Sequence, residues 1–184
     1  MSFWVLAIDP SSSVNSVKNC IGFCVMRDGN LEETGEIIPD PLMGFTRVRR
    51  WVRDKIKMIR VKDSDPEIIV ACESAYYKLN AAVFMGLIRV KAHIEATVLD
   101  QGCVYREVSP LTSFQAATGL KQYPLNERGK RDGTRKPAIQ SAVKARYNLT
   151  EDTSEHICDS ISIAEAIIQM ILSSSAAQSF YRYR

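Results

Sequence analysis

The segment Phe3–Ile8, FWVLAI, is apolar without interruption and closes on Asp9-Pro10. A strand exposed on one face alternates apolar with polar residues. One that never alternates is covered on both faces, so this run predicts a central strand. A second run of the same kind, Glu67–Cys72 (EIIVAC), closes on Glu73. Between them, Cys20–Met26 and Leu31–Ile38 flank Arg27-Asp28-Gly29-Asn30, and Asp-Gly supplies the positive φ that a type I′ hairpin turn requires. From Gly44 the period lengthens. Phe45, Val48, Val52, Ile56 and Ile59 fall three or four apart, predicting an amphipathic helix with Arg and Lys on its other face. Further on come a helix over Ala81–Leu99 that is apolar on more than one side, and a short strand over Cys103–Val108. The next helix is capped by Ser109-Pro110 and stopped by Gly119. Lys121–Lys136 is polar, basic and rich in breakers, which reads as a mobile loop. A short helix to Tyr147 and a last helix over Thr153–Leu172 complete one domain, residues 1–172, with 173–184 as a frayed tail. A strand and hairpin followed by βαβ units imply an α/β fold, a mixed sheet with helices on both faces.

The composition fits such a domain: 184 residues, 46% apolar and 24% charged. It excludes collagen-like and low-complexity chains. No basic segment followed by an apolar one opens the chain, so no secretory signal is expected. The longest apolar run, Ala81–Ile88, ends at Arg89, short of the roughly 20 residues that span a bilayer, so no membrane insertion is expected. Five scattered cysteines read as free core thiols in a reducing, cytoplasmic compartment, and Cys20 and Cys24 with two distant His make no zinc pattern. Charge is segregated. Arg47–Lys62 carries +7 and Lys121–Arg146 carries +6, so at a total of +3 the remaining chain is acidic by 10. Such clustering points to a polyanionic partner, nucleic acid first; the alternative is two solvated faces.

Asp9 and Glu73 each end an apolar strand. If those strands are parallel neighbours, about 4.8 Å apart, the two carboxylates emerge side by side and must share a proton or a cation. Oxygen donors favour Mg²⁺ or Mn²⁺ over zinc. The plainer alternative is that each acid caps the turn that follows it. In the last helix Asp152 is placed to act as N-cap, with Glu155 closing a capping box. Its core stripe is Ile157, Ile161, Ala164, Ile168 and Ile171, which puts Glu155, Cys158, Ser162 and Gln169 on the watery side. His156 and Asp159 lie on the border between the two. Acids there complement the helix dipole, whereas a protonated His does not.

Several features then fall in order: a strand ending in Asp9-Pro10, and a strand ending in Glu73 with Tyr76 three residues on. Val108-Ser109-Pro110 comes before the penultimate helices, and His156-x-x-Asp159 with a Ser-Ile-Ser-Ile-Ala run sits on the last helix. Over Phe3 to about Met170 this resembles the RuvC-type Holliday junction resolvases, homodimeric nucleases of the RNase H-like superfamily. The resemblance implies an RNase H-like fold with a five-stranded sheet in the order 3-2-1-4-5. It implies Asp9, Glu73, His156 and Asp159 as the catalytic, metal-binding set for two Mg²⁺ ions, with Mn²⁺ able to substitute. Tyr76, with Tyr77 as a competitor, takes the place of the aromatic that contacts bases of the opened junction. Lys130, Arg131, Arg135 and Lys136 would neutralise phosphates, and Val83, Leu87 and Val90 on the Ala81–Leu99 helix would form the dimer interface. The implied reaction is paired nicking of a DNA four-way junction, leaving 5′ phosphate and 3′ hydroxyl ends. Two departures stand out: Ser11 follows Asp9-Pro10 where Gly is usual, and the loop to Asn19 is longer. Two other readings stay open, a nuclease of the same superfamily acting on other branched DNA, RNA or RNA–DNA hybrids, and a junction-binding protein without chemistry.

Overall fold

β1 (Phe3–Asp9) lies at the centre of a five-stranded sheet, between antiparallel β2 (Ile21–Arg27) and parallel β4 (Glu67–Glu73). With β3 (Asn30–Ile37) and β5 (Val104–Val108) at the edges, the order is β3-β2-β1-β4-β5. The computed structural model describes residues 2–10, 20–38, 43–75, 81–131 and 133–181.

The unbroken apolar character of β1 follows from its two covered faces. Trp4, Leu6 and Ile8 pack against α1 (Gly44–Lys62) and α2 (Ala81–Asp100) through Val52, Ile56, Ile94 and Val98. Val5 and Ala7 face the opposite layer, made of α3 (Pro110–Thr118), α4 (Arg135–Tyr147) and α5 (Glu155–Tyr181). Because the pleat alternates, Asp9 continues the Val5–Ala7 face and Glu73 continues the matching Ile69–Ala71 face of β4. Both carboxylates therefore leave the sheet on the α5 side.

Local chemistry sets the turns and caps. Asp28 (φ 49°) and Gly29 (φ 88°) form the hairpin turn. Ser109 Oγ accepts from Thr112 N, Pro110 opens α3 and Gly119 (φ 72°) ends it. The α4–α5 contact is anchored by Glu165, a buried acid paired with Arg146 and accepting a 3.0 Å hydrogen bond from Tyr147 Oη. All five cysteines are free, and burial pushes the Cys24 thiol up to about 12.

Five expectations are corrected. Ser154, not Asp152, caps α5: its Oγ accepts from Ile157 N at 3.3 Å. Cys158 and Ser162 are fully buried rather than watery, because α5 is enclosed by the sheet on one side and by α3 and α4 on the others. That enclosure also accounts for a 20-residue stretch, Glu155–Ser174, apolar enough by composition to cross a membrane. The helix does not stop at Leu172 but runs on to Tyr181, with Ser173 and Ser174 folding their hydroxyls back onto the carbonyls of Gln169 and Met170. The loop expected over Lys121–Lys136 ends at Thr134, because α4 starts at Arg135, and its described residues make hydrogen bonds among themselves. Asn126 Oδ1 accepts from the amides of Arg128 and Lys130, and Thr134 Oγ1 donates to the Pro124 carbonyl. Finally, Val90 belongs to the core under the sheet, while Met85 and Ile88 are exposed on the opposite side of α2 and Val83 is exposed on its first turn.

Candidate active site

β1 and β4 run parallel with Ile8 opposite Cys72, so Asp9 and Glu73 sit next to each other at the C-terminal edge of the sheet. The first turn of α5 is laid directly on that edge. Gly22 of β2 is the residue paired with Asp9, and a Cβ there would stand 2.2 Å from the His156 carbonyl oxygen. Only glycine permits this approach, and it brings the His156 ring over Asp9. His156 Nδ1 lies 2.8 Å from Asp9 Oδ2. A carboxylate oxygen accepts, so Nδ1 carries the proton and Nε2 keeps its lone pair in the neutral ring. The same bond, more than the opposing effect of burial, holds the His156 pKa above its usual value.

One turn further, Asp159 is 6% exposed. Burial pushes its carboxyl up to about 7, the charges of Asp9 and Glu73 add to the effect, and Arg135 and Lys136 oppose it. Glu73 is also raised by burial, against the pull of the Arg135 cation and the Ser113 hydroxyl. Ser113 Oγ of α3 lies 3.1 Å from Glu73 Oε1, and Arg135 forms an ion pair with the same oxygen. Lys136 Nζ is 2.8 Å from Glu155 Oε1.

Three carboxylates and one imidazole make a donor set suited to hard divalent cations, and the raised Asp159 marks negative charge that such a cation would offset. Among the described residues, however, no three His, Cys, Asp or Glu side chains are grouped to hold a metal ion. Asp9 is turned to His156, and Glu73 is turned to Ser113 and Arg135. The donors fit by chemistry, and a shared ion requires Glu73 to leave its present partners.

Of the residues singled out in the sequence, Asp9, Glu73, His156, Asp159, Arg135 and Lys136 come together at this edge. Lys130 and Arg131 are exposed on the preceding loop, Arg131 within 2.6 Å of Gln122. Tyr76 and Tyr77 lie outside the described residues. On α2, Val83 is exposed and Leu87 half-buried. Two participants escaped sequence reasoning. Gly22 had only the signal of a glycine inside a strand, and Ser113 had none.

No protein-family profile matches the chain, and no curated protein does. Among solved structures the fold is similar to that of Thermus thermophilus RuvC in complex with a Holliday junction substrate. That comparison has a TM-score of 0.60 and 14% identity, over 89% of this chain and 91% of that one. It is also similar to a Thermus thermophilus RuvC structure, again at TM-score 0.60 and 14% identity, over 92% and 96% of the two chains. The fold is the RNase H-like α/β arrangement of those proteins, with the same mixed five-stranded sheet.

Proposed function

We propose that the chain is a structure-selective DNA endonuclease that resolves four-way junctions by paired phosphodiester hydrolysis, leaving 5′ phosphate and 3′ hydroxyl ends. One observation carries this reading: parallel pairing of β1 with β4 sets Asp9 beside Glu73 at one sheet edge, and the first turns of α5, which carry His156 and Asp159, lie against that edge. A protein that only binds DNA gains nothing from acids clustered against phosphates, whereas phosphodiester hydrolysis has a use for them.

Asp9, Glu73 and Asp159 would hold Mg²⁺ ions, two per site, or Mn²⁺ in their place. Bound there, such ions stabilise charge on phosphoryl oxygens and acidify water. The chain's own part is positional. Asp9 fixes the His156 ring by accepting from Nδ1, which leaves Nε2 to take the proton of the attacking water. Lys136, Lys130 and Arg131 neutralise backbone phosphates on either side of the scissile one. Symmetric cutting needs two such sites at fixed spacing, which a C₂ dimer joined through the exposed apolar side of α2 would supply. The free, mostly buried thiols suit action in a reducing cytoplasm.

The reading is tested by incubating the protein with a synthetic four-way junction, a linear duplex and an RNA–DNA hybrid, each with and without Mg²⁺. Paired nicks confined to the junction and to Mg²⁺ support it. Preferential cutting of the hybrid replaces it with another nuclease of this fold, and tight junction binding without nicks replaces it with a binding protein.

A further inference from the structure

Arg135 is the first residue of α4, where the positive end of the helix dipole disfavours a cation. No acidic residue in that turn compensates. Its partner comes from the sheet instead. Nη2 pairs with Glu73 Oε1 and lies 3.2 Å from Ser113 Oγ, which itself lies 3.1 Å from the same Oε1. Both side chains of the pair are about four-fifths removed from water, at 20% and 21% exposure. The guanidinium is nonetheless under-used: Arg135 Nε is buried with no hydrogen-bond partner. A buried donor left unmade is costly, and guanidinium groups bind phosphate through two parallel N–H···O bonds. Glu73 Oε1 engages Nη2 alone, whereas a phosphate, with oxygens spaced for the fork, would engage Nε and Nη2 together. On the other side of the exchange, with Glu73 turned to Arg135, no three metal-ligating side chains are grouped together among the described residues.

We propose that Arg135 is a positioning residue that couples the two ligands of the site. In the free protein it holds Glu73 away from divalent cations, and when DNA binds, its guanidinium passes to a backbone phosphate and releases Glu73 to them. The DNA half of this statement rests on the nuclease reading above. The coupling is reciprocal: DNA tightens cation binding, and the cation tightens DNA binding by the same factor. Such a device keeps the site unloaded until a strand is in place, so water and cation meet only beside a phosphate.

The test is a calorimetric titration of Mn²⁺ into DNA-free protein, for the wild type, Arg135→Gln and Arg135→Lys. A parallel measurement follows the anisotropy of a labelled linear duplex, which is no substrate for a junction-selective enzyme, with and without Mn²⁺. Arg135→Gln is expected to bind Mn²⁺ about fivefold or more tightly than the wild type, with Arg135→Lys in between. Mn²⁺ is expected to tighten duplex binding in the wild type and to lose that effect in Arg135→Gln. Equal or weaker Mn²⁺ binding by Arg135→Gln overturns the proposal and leaves Arg135 a brace for Glu73. Should Arg135→Gln fail to fold, Arg135→Lys, which keeps the charge but loses the planar fork, reads the same quantity; unchanged Mn²⁺ affinity there overturns it equally. The titration contains no DNA. A chain that cuts no branched DNA therefore sinks the resolvase reading without altering this result.

Discussion

Asp159 shows how a single buried group ties stability to chemistry. Its folded pKa of about 7 stands well above the ordinary 3.8, because burial and two neighbouring carboxylates disfavour its charge. Below pH 4 the folded and unfolded chains both hold the proton, and the group has no effect on stability. Between about 4 and 7 only the folded chain holds it, so stability falls as pH rises through that window and levels off above it. In metal-free protein, Asp159→Asn should therefore raise the thermal midpoint at pH 8, by up to about 4 kcal/mol of stability, and leave it unchanged near pH 4. Melting curves at the two pH values check this, and an equal shift at both would remove the charge from the account. Gly22→Ala should act in the opposite sense. Its Cβ meets the His156 backbone, not a side chain that can move aside, so about 3 kcal/mol of stability should be lost, measured by denaturant unfolding. At this scale the four acidic and histidine positions were legible, because each lies at a strand end or at a fixed helical spacing. Gly22 and Ser113 were not, since their roles exist only once α5 and α3 are docked on the sheet.

Elements specified by short-range chemistry are legible in the sequence. The Asp28-Gly29 turn needs two positive φ angles, and α3 carries its own start and stop in Ser109-Pro110 and Gly119. α5 departs from its periodicity where its surroundings decide. A polar Ser162 and a small Cys158 lie on what periodicity marks as its wet side, yet α3 and α4 cover them. α2 divides by burial. Its C-terminal half supplies Val90, Ile94 and Val98 to the core, while Val83, Met85 and Ile88 stay exposed near its start. If that side joins two copies, Met85→Asp with Ile88→Asp should convert a dimer to a monomer in sedimentation without changing the circular dichroism. A wild type that already sediments as a monomer would contradict the interface. The loop before α4 makes a separate prediction. Replacing Lys130 and Arg131 with Ala should weaken DNA binding across all sequences and lower the slope of log affinity against log salt by about 2. An unchanged slope would take the loop out of the contact.

For the molecule as a whole, the decisive fact is that one sheet edge collects what the sequence scatters. Parallel pairing of β1 with β4 sets Asp9 beside Glu73, and the pleat turns both towards α5, which brings His156 and Asp159 from more than eighty residues away. The likeness to RuvC structures concerns this framework, while the pairing of Arg135 with Glu73 is a property of the chain's own residues. Cleavage of a synthetic four-way junction in Mg²⁺, with nick positions mapped on all four strands, tests the account most directly when the wild type and Asp159→Asn are run side by side. Symmetric nicks with 5′ phosphates from the wild type, and none from a folded Asp159→Asn that still binds the junction, are the predicted result. An inert wild type, or a variant that cuts as well as its parent, would contradict it.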